Sequence, residues 1–252
     1  MMGPTHSMSG AAAGAGLALY LKSTGMDLSA AQVIVMTGLT AGAALLPDLD
    51  HPSATLARTW GPLSKGLAEL TNHLSAAIVN MTGSRRDKHC SNGHRTFTHT
   101  FLFAALMGLA TYFVVTMGGT LGAGIVFFIL VSLAMQGLMR NYAREMGPII
   151  SNVVALGLAW FAVNYLPDTV SATSLGVAVS LGCVAHMVGD AVTISGVPAF
   201  APFIPVNGKR WGDVHLLPAG ARVRASGPAN TIAFWLCTVA VVILLPQALG
   251  LF

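Results

Sequence analysis

Four short stretches of this chain carry residue types that can hold a metal ion and move protons. They are Thr5-His6, Pro47-Asp48-Leu49-Asp50-His51-Pro52, His94-Arg95-Thr96-Phe97-Thr98-His99 and His186-Met187-Val188-Gly189-Asp190. Imidazole nitrogen combined with carboxylate oxygen is a common donor set of hydrolytic metal centres. His186 and Asp190 stand one helical turn apart and project from one face. Asp48 and Asp50 repel each other unless a cation lies between them, and the flanking prolines hold their turn rigid. His99, at the start of a helix, is the better ligand of its stretch. His94 suits a second ligand or a general acid/base, since imidazole titrates near neutrality. Arg95 has the fork that grips a phosphate or carboxylate oxygen. His6 and His51 are further candidates. Each feature also has a plainer reading: a polar pair gluing two membrane helices, a solvated turn, a basic residue at lipid headgroups, an incidental N-terminal histidine. His73, His89 and His215 lack clustered partners, and Lys209 and Arg210 beside Trp211 read as an interfacial anchor.

These groups are set in an apolar chain. Of its 252 residues 54% are hydrophobic and 9% charged, with a mean hydropathy of +0.69; soluble proteins carry roughly a quarter charged residues. Seven segments approach the ~20 residues that span a bilayer: 5–21, 29–47, 99–117, 120–139, 147–166, 171–194 and 228–249, the first being short and rich in Ala and Gly. Gly118-Gly119 predicts a tight connection between the third and fourth, and Pro47, Pro148 and Pro167 sit near helix ends, where proline is tolerated. The expected fold is all-α: one integral membrane domain over 1–252, a polytopic bundle of about seven spanning helices. In loop 48–98, Leu63, Leu67, Leu70, Leu74, Ile78 and Met81 recur at helical spacing. They predict an amphipathic helix, resting on the membrane surface or packed against the bundle. Loop 195–227 is proline-rich and irregular. The three cysteines predict no disulfide framework. No cleavable leader, phosphate loop or nucleophile elbow is visible.

If the chain crosses at each segment, the N-terminus, loop 48–98, residues 140–146 and loop 195–227 share one side. Twelve of the 13 Lys and Arg residues lie on that side, and Lys22 alone lies opposite. The positive-inside rule makes it cytoplasmic, and the net charge of +4 then reflects loops facing anionic lipid, with no nucleic-acid partner expected. The same count brings all four clusters to the cytoplasmic end of the bundle.

At these residues the chain resembles the membrane-bound metal-dependent hydrolases of the YdjM family, described as LexA-binding inner-membrane hydrolases. The matching pieces are Thr5-His6 with Gly10, Pro47 to Pro52, His94-Arg95 with Thr98-His99, His186 to Asp190 with Thr193, and Gly196-Val197-Pro198 with Pro202-Phe203 and Lys209-Arg210-Trp211. They span most of the chain in the family's order. Thr100 replaces a common serine, the 52–93 insert is long, and Asn230 stands where an acid is expected. The resemblance implies a multi-pass helical protein of the bacterial inner membrane with a metal-supported hydrolytic site. The resulting expectation is a metal centre with His6, Asp48, Asp50, His99, His186 and Asp190 as ligands. So many donors favour two ions, Zn²⁺ by donor type with Mn²⁺ or Mg²⁺ as alternatives. His94, Arg95 and His51 are the expected catalytic groups. The expected substrate is an amphiphile, a lipid or other phosphoester, with membrane lipid as the partner. The alternatives are an ion or metal transporter and a non-enzymatic, metal-stabilised membrane protein; a charge-poor far side argues against the transporter.

Overall fold

In a chain this apolar each segment must satisfy its own backbone N–H and C=O groups, which a helix does. The computed structural model describes residues 2–252 except Ser53, Thr55, Leu56 and Arg58, with the backbone alone at Arg140. Among the described residues it has seven α-helices: α1 Gly3–Ser23, α2 Ala30–Ala43, α3 Pro62–Thr82, α4 Phe101–Leu138, α5 Arg140–Tyr165, α6 Ala172–Ala191 and α7 Pro228–Ala248. There is no strand among them, only three isolated bridges. Short hydroxyl residues set the helix starts. Ser29 and Gln32 close a capping box on α2, Ser171 accepts the Ser174 N–H at α6, and Thr100 accepts the Phe103 N–H at α4. At that cap threonine does what a serine would.

Among the described residues five helical stretches are long and apolar enough to cross a membrane: Ala30–Asp50, Phe101–Leu138, Asn141–Tyr165, Ala172–Ala191 and Pro228–Ala248. The first segment expected from sequence, now α1, is not among them. The 38-residue α4 is two arms: Gly119 takes φ 53°, ψ −135°, a conformation open to glycine. A Cβ on Gly122 would run into the Val114 carbonyl, eight residues back. In a straight helix those residues stand about 12 Å apart along the axis, so the chain reverses at Gly119. The arms coincide with the expected segments 99–117 and 120–139.

Helix α1 lies against α2 and α7 through a stripe of small residues. Gly10 faces the Thr40 carbonyl and Gly14 the Thr37 backbone, each closer than a Cβ permits. His6 precedes Gly10 by one turn on the same stripe, so the contact that joins α1 to α2 also aims His6 inward. Helices α2, α4 and α6 form the core around Leu45, Leu130, Leu133, Leu175, Val179 and Met187. Helix α7 packs on α1 and leaves Ile232, Trp235, Leu236 and Val242 exposed, a lipid-facing surface.

Helix α3 matches the amphipathic segment. Its leucine stripe points away from the protein, with Leu63, Leu67, Leu70, Leu74 and Met81 all exposed. Its small face, Ser64, Ala68, Ser75, Ala76 and Val79, is buried. That orientation suits a helix resting on lipid. Loop 195–227 is irregular, as expected, and is fastened to the end of α3 by Asp87. The carboxylate of Asp87 accepts from the Ser84 N–H and hydroxyl and from the N–H groups of Arg210 and Trp211. Burial pushes the Asp87 carboxyl up, but these donors outweigh it and hold the group below its ordinary value.

Candidate metal centre

The four clusters meet at one end of the bundle. His6 comes from α1, and Asp48 and Asp50 come from a 3-10 turn, Pro47–Asp50, that follows α2. His94 and Arg95 lie on the loop before α4, and a second 3-10 turn, Phe97–His99, delivers His99. His186 and Asp190 lie on the last turns of α6. His6, Asp50, His99 and His186 have no exposed surface, and Asp190 is 1% exposed. Among the described residues three groups each bring their potential ligand atoms within 4.8 Å of one another: His6, His186 and Asp190; Asp48, His99 and His186; Asp48, Asp50 and His94. His186 belongs to the first two groups and Asp48 to the last two.

Hydrogen bonding decides what each imidazole presents. His186 Nδ1 lies 2.8 Å from the Ala44 carbonyl, which only accepts, so Nδ1 carries a hydrogen and the neutral ring turns a lone pair out at Nε2. Thr98 gives its hydroxyl hydrogen to Asp50 Oδ2. Its oxygen, 2.9 Å from His99 Nδ1, therefore accepts from that ring, and His99 Nε2 also presents a lone pair. The two Nε2 atoms face each other at 3.1 Å. Around them lie Asp190 Oδ2, at 3.5 Å from His99 and 3.7 Å from His186, and Asp48 Oδ1, at 3.7 Å from His186. Four electron-rich atoms thus converge on one point, an arrangement able to hold a cation in addition to the Arg95 guanidinium at Asp190. Two nitrogens bound tetrahedrally at about 2.05 Å stand about 3.3 Å apart, close to the spacing here. Four converging donors also suit a divalent ion better than a shared proton. Backbone or hydroxyl partners on the far nitrogen are the usual support for a metal-ligating histidine.

His6 stacks on His186 with ring centroids 3.7 Å apart, and its Nε2 is 3.3 Å from Asp190 Oδ1. Neither of its nitrogens has a well-aligned hydrogen bond among the described residues. A buried imidazole left in that condition is unusual and adds a fifth donor to the point.

A model of the YdjM inner membrane protein family matches residues 1–249. The chain belongs to this family. No curated protein and no solved structure matches it. In this family member, then, a multi-pass helical membrane protein gathers a cluster able to hold metal at one end of its bundle.

Every predicted site residue reaches this end, though with different duties. Asp50 accepts from His94 Nδ1 at 2.8 Å, the Arg95 N–H at 3.1 Å and the Thr98 hydroxyl, so both oxygens are engaged in holding its neighbours. Arg95 sits at φ 57° and turns its fork back into the protein, to Asp190 Oδ2 at 2.8 Å and the Thr193 hydroxyl at 3.2 Å. It therefore serves the cluster and does not reach outward to an anion. His51 packs edge-on against His94, centroids 4.4 Å apart, outside the three groups. Asn230 accepts from the Met2 N–H at 3.0 Å, where an acid was expected. Sequence reasoning missed the Ala44 carbonyl, the Thr98 relay and Asn72, whose amide donates to the Asp50 carbonyl at 2.8 Å. Thr98 had a usable signal, a hydroxyl residue adjoining a ligand histidine; the other two had none.

Proposed function

We propose that this chain is a metal-dependent hydrolase whose centre opens to the cytoplasmic side of the inner membrane and acts on a phosphoester of an amphiphile. The observation that carries this reading is the convergence of the His99 and His186 lone pairs with Asp190 and Asp48 on one buried point. His6, Asp48, His99, His186 and Asp190 would hold the metal, and the membership of His186 in two donor groups favours two adjacent ions. A bound divalent ion, Zn²⁺ by donor type with Mn²⁺ and Mg²⁺ as alternatives, supplies Lewis acidity to water and to a phosphoryl oxygen.

The chain's own residues do the rest. Asp50 fixes the Nδ1 proton of His94, leaving Nε2 of a one-quarter exposed ring free to take a proton from water and return it to a leaving oxygen. Arg95 neutralises Asp190 and keeps that carboxylate turned to the cluster. The exposed leucine stripe of α3, beside the Pro47–Asp50 turn, supports a substrate that arrives from the membrane surface. The count of twelve of 13 Lys and Arg residues on one side of the crossings expected from sequence supports a cytoplasmic orientation.

The test is metal analysis of purified wild type beside Asp48→Ala and His186→Ala, with phosphoester and lipid hydrolysis assayed on the same samples. Loss of metal and activity together is expected. Unchanged metal in both variants removes the centre; bound metal in the wild type with no hydrolysis of any ester removes the enzyme and leaves a metal-stabilised protein.

A further inference from the structure

A cavity of about 520 Å³ opens over His94 and Arg95, on the loop side of the cluster. Apart from Val79 of α3, its walls come from two segments far apart in sequence, 87–96 and 195–213, and include Lys88, Lys209, Trp211 and Asp213. Three other cavities of similar size differ in kind: each is lined almost wholly by apolar helix faces, among them Leu17 with Leu109, Ile232 with Leu236, and Leu121 with Ile125. The cavity over His94 is the polar one among those four, within the size range of small-molecule sites.

The arginines near it are already committed. The Arg95 fork is held by Asp190 and Thr193, and Arg210 reaches the Thr82 carbonyl. Lys88 and Lys209 are different. Both are exposed, and neither ammonium forms an ion pair or hydrogen bond among the described residues. Two acids stand on the wall: Asp87, whose carboxylate accepts from neutral N–H and hydroxyl groups and keeps its charge, and Asp213. These two acids balance Lys88 and Lys209, and Arg210, whose guanidinium meets only the neutral Thr82 carbonyl, adds a further positive charge beside them, so the cavity's surroundings are net cationic. A neutral or cationic ligand would leave the excess charge unanswered; an anion placed beside His94 would answer it.

We infer that this cavity takes the anionic, phosphate-bearing head of the substrate, with Lys88 and Lys209 as the residues that hold its charge. The inference rests on the hydrolase reading above and moves the anion-binding duty from Arg95 to two lysines on separate loops. Such a head can come from a membrane lipid or from a soluble phosphate ester.

The full-length protein in detergent is titrated calorimetrically with glycerol phosphate and with dihexanoyl phosphatidylglycerol below its micelle concentration, both with and without added Zn²⁺. Wild type is compared with Lys88→Gln/Lys209→Gln, with each single variant, and with Lys65→Gln as an exposed control on α3. The double variant is expected to bind about tenfold more weakly or worse, each single variant less so, with Zn²⁺ content unchanged and Lys65→Gln equal to wild type. Preference for the lipid form assigns the head to a lipid, and equal binding assigns it to a soluble ester. Unchanged affinity in the double variant, equal loss in the Lys65 control, or no binding of either probe to wild type overturns the inference. A wild type that binds no Zn²⁺ yet loses anion binding in the double variant defeats the hydrolase reading and leaves the anion site standing.

Discussion

Replacing Thr98 by valine removes one hydroxyl that is fully buried and bonded on two sides, to Asp50 and to His99 Nδ1. The His99 ring then has a buried Nδ1–H with Asp50 Oδ2 as its nearest carboxylate oxygen, 3.8 Å away, beyond hydrogen-bond reach. An unsatisfied buried donor costs about 1–3 kcal/mol. The ring escapes that cost by moving its proton to Nε2, the atom that faces His186, and a metal must first reverse this. At 1.36 kcal/mol per tenfold, Zn²⁺ affinity should fall roughly 5- to 150-fold, in line with the 10–100-fold typical of lost supporting hydrogen bonds at metal sites. Competition with a chromophoric chelator on detergent-purified protein measures the change, and circular dichroism checks that helix content is kept. Thr98→Ser retains the hydroxyl and should stay within about threefold of wild type. A folded valine variant with wild-type affinity would refute the lone-pair argument, and with it the reason for placing a metal between His99 and His186.

Other substitutions probe the supports. Gly10→Val places a Cβ against the Thr40 carbonyl and the Ala44 Cβ, so α1 should be pushed from α2, with about 1–3 kcal/mol lost in thermal unfolding and weaker metal binding as His6 withdraws. Equal stability and affinity would show that the stripe does not aim His6. Arg95→Ala leaves Asp190, 1% exposed, without the partner at 2.8 Å; a loss of about 3–5 kcal/mol is expected, and a loss under about 1 kcal/mol would mean that the fork is not needed there. The Asp87 carboxyl lies below its ordinary 3.8, so its fastening of loop 195–227 is complete above that pH and fades as the pH falls through the lower folded value. Trp211 emission should report this release on acidification, and Asp87→Asn should show it at neutral pH. Identical emission in the variant and wild type at pH 7, after subtraction of a Trp211→Phe control, counts against the fastening.

Much of the site was legible because its residues are misplaced by the standards of an apolar chain. A His and an Asp at four-residue spacing inside a membrane-length helix need a partner wherever they are, so His186 and Asp190 stood out before any contact was known. Counting crossings then put His6, Asp48, His99 and Asp190 at one end, and the structure brings them together there. Arg95 is the instructive exception. Its type and position fit a ligand-binding residue, yet a left-handed backbone turn at φ 57° sends the fork inward to Asp190. Lys209 moved the other way, from an anchor to a cavity wall, because the second loop folds back over residues 87–96. Neither direction is encoded in residue type or spacing.

By itself the sequence determined the helical fold, the reversal at Gly118-Gly119, the amphipathic character of α3 and the identity of the donor atoms. Those properties depend on local composition, periodicity and backbone freedom, which act over a few residues. Only the tertiary structure decided which nitrogen of each ring faces the cluster, that Asp50 holds its neighbours through both oxygens, and which cations stay free. The reason is that an imidazole's tautomer is set by whatever meets its other nitrogen. For His186 that is a backbone carbonyl at Ala44, 142 residues away, an atom every residue carries and no sequence pattern can mark.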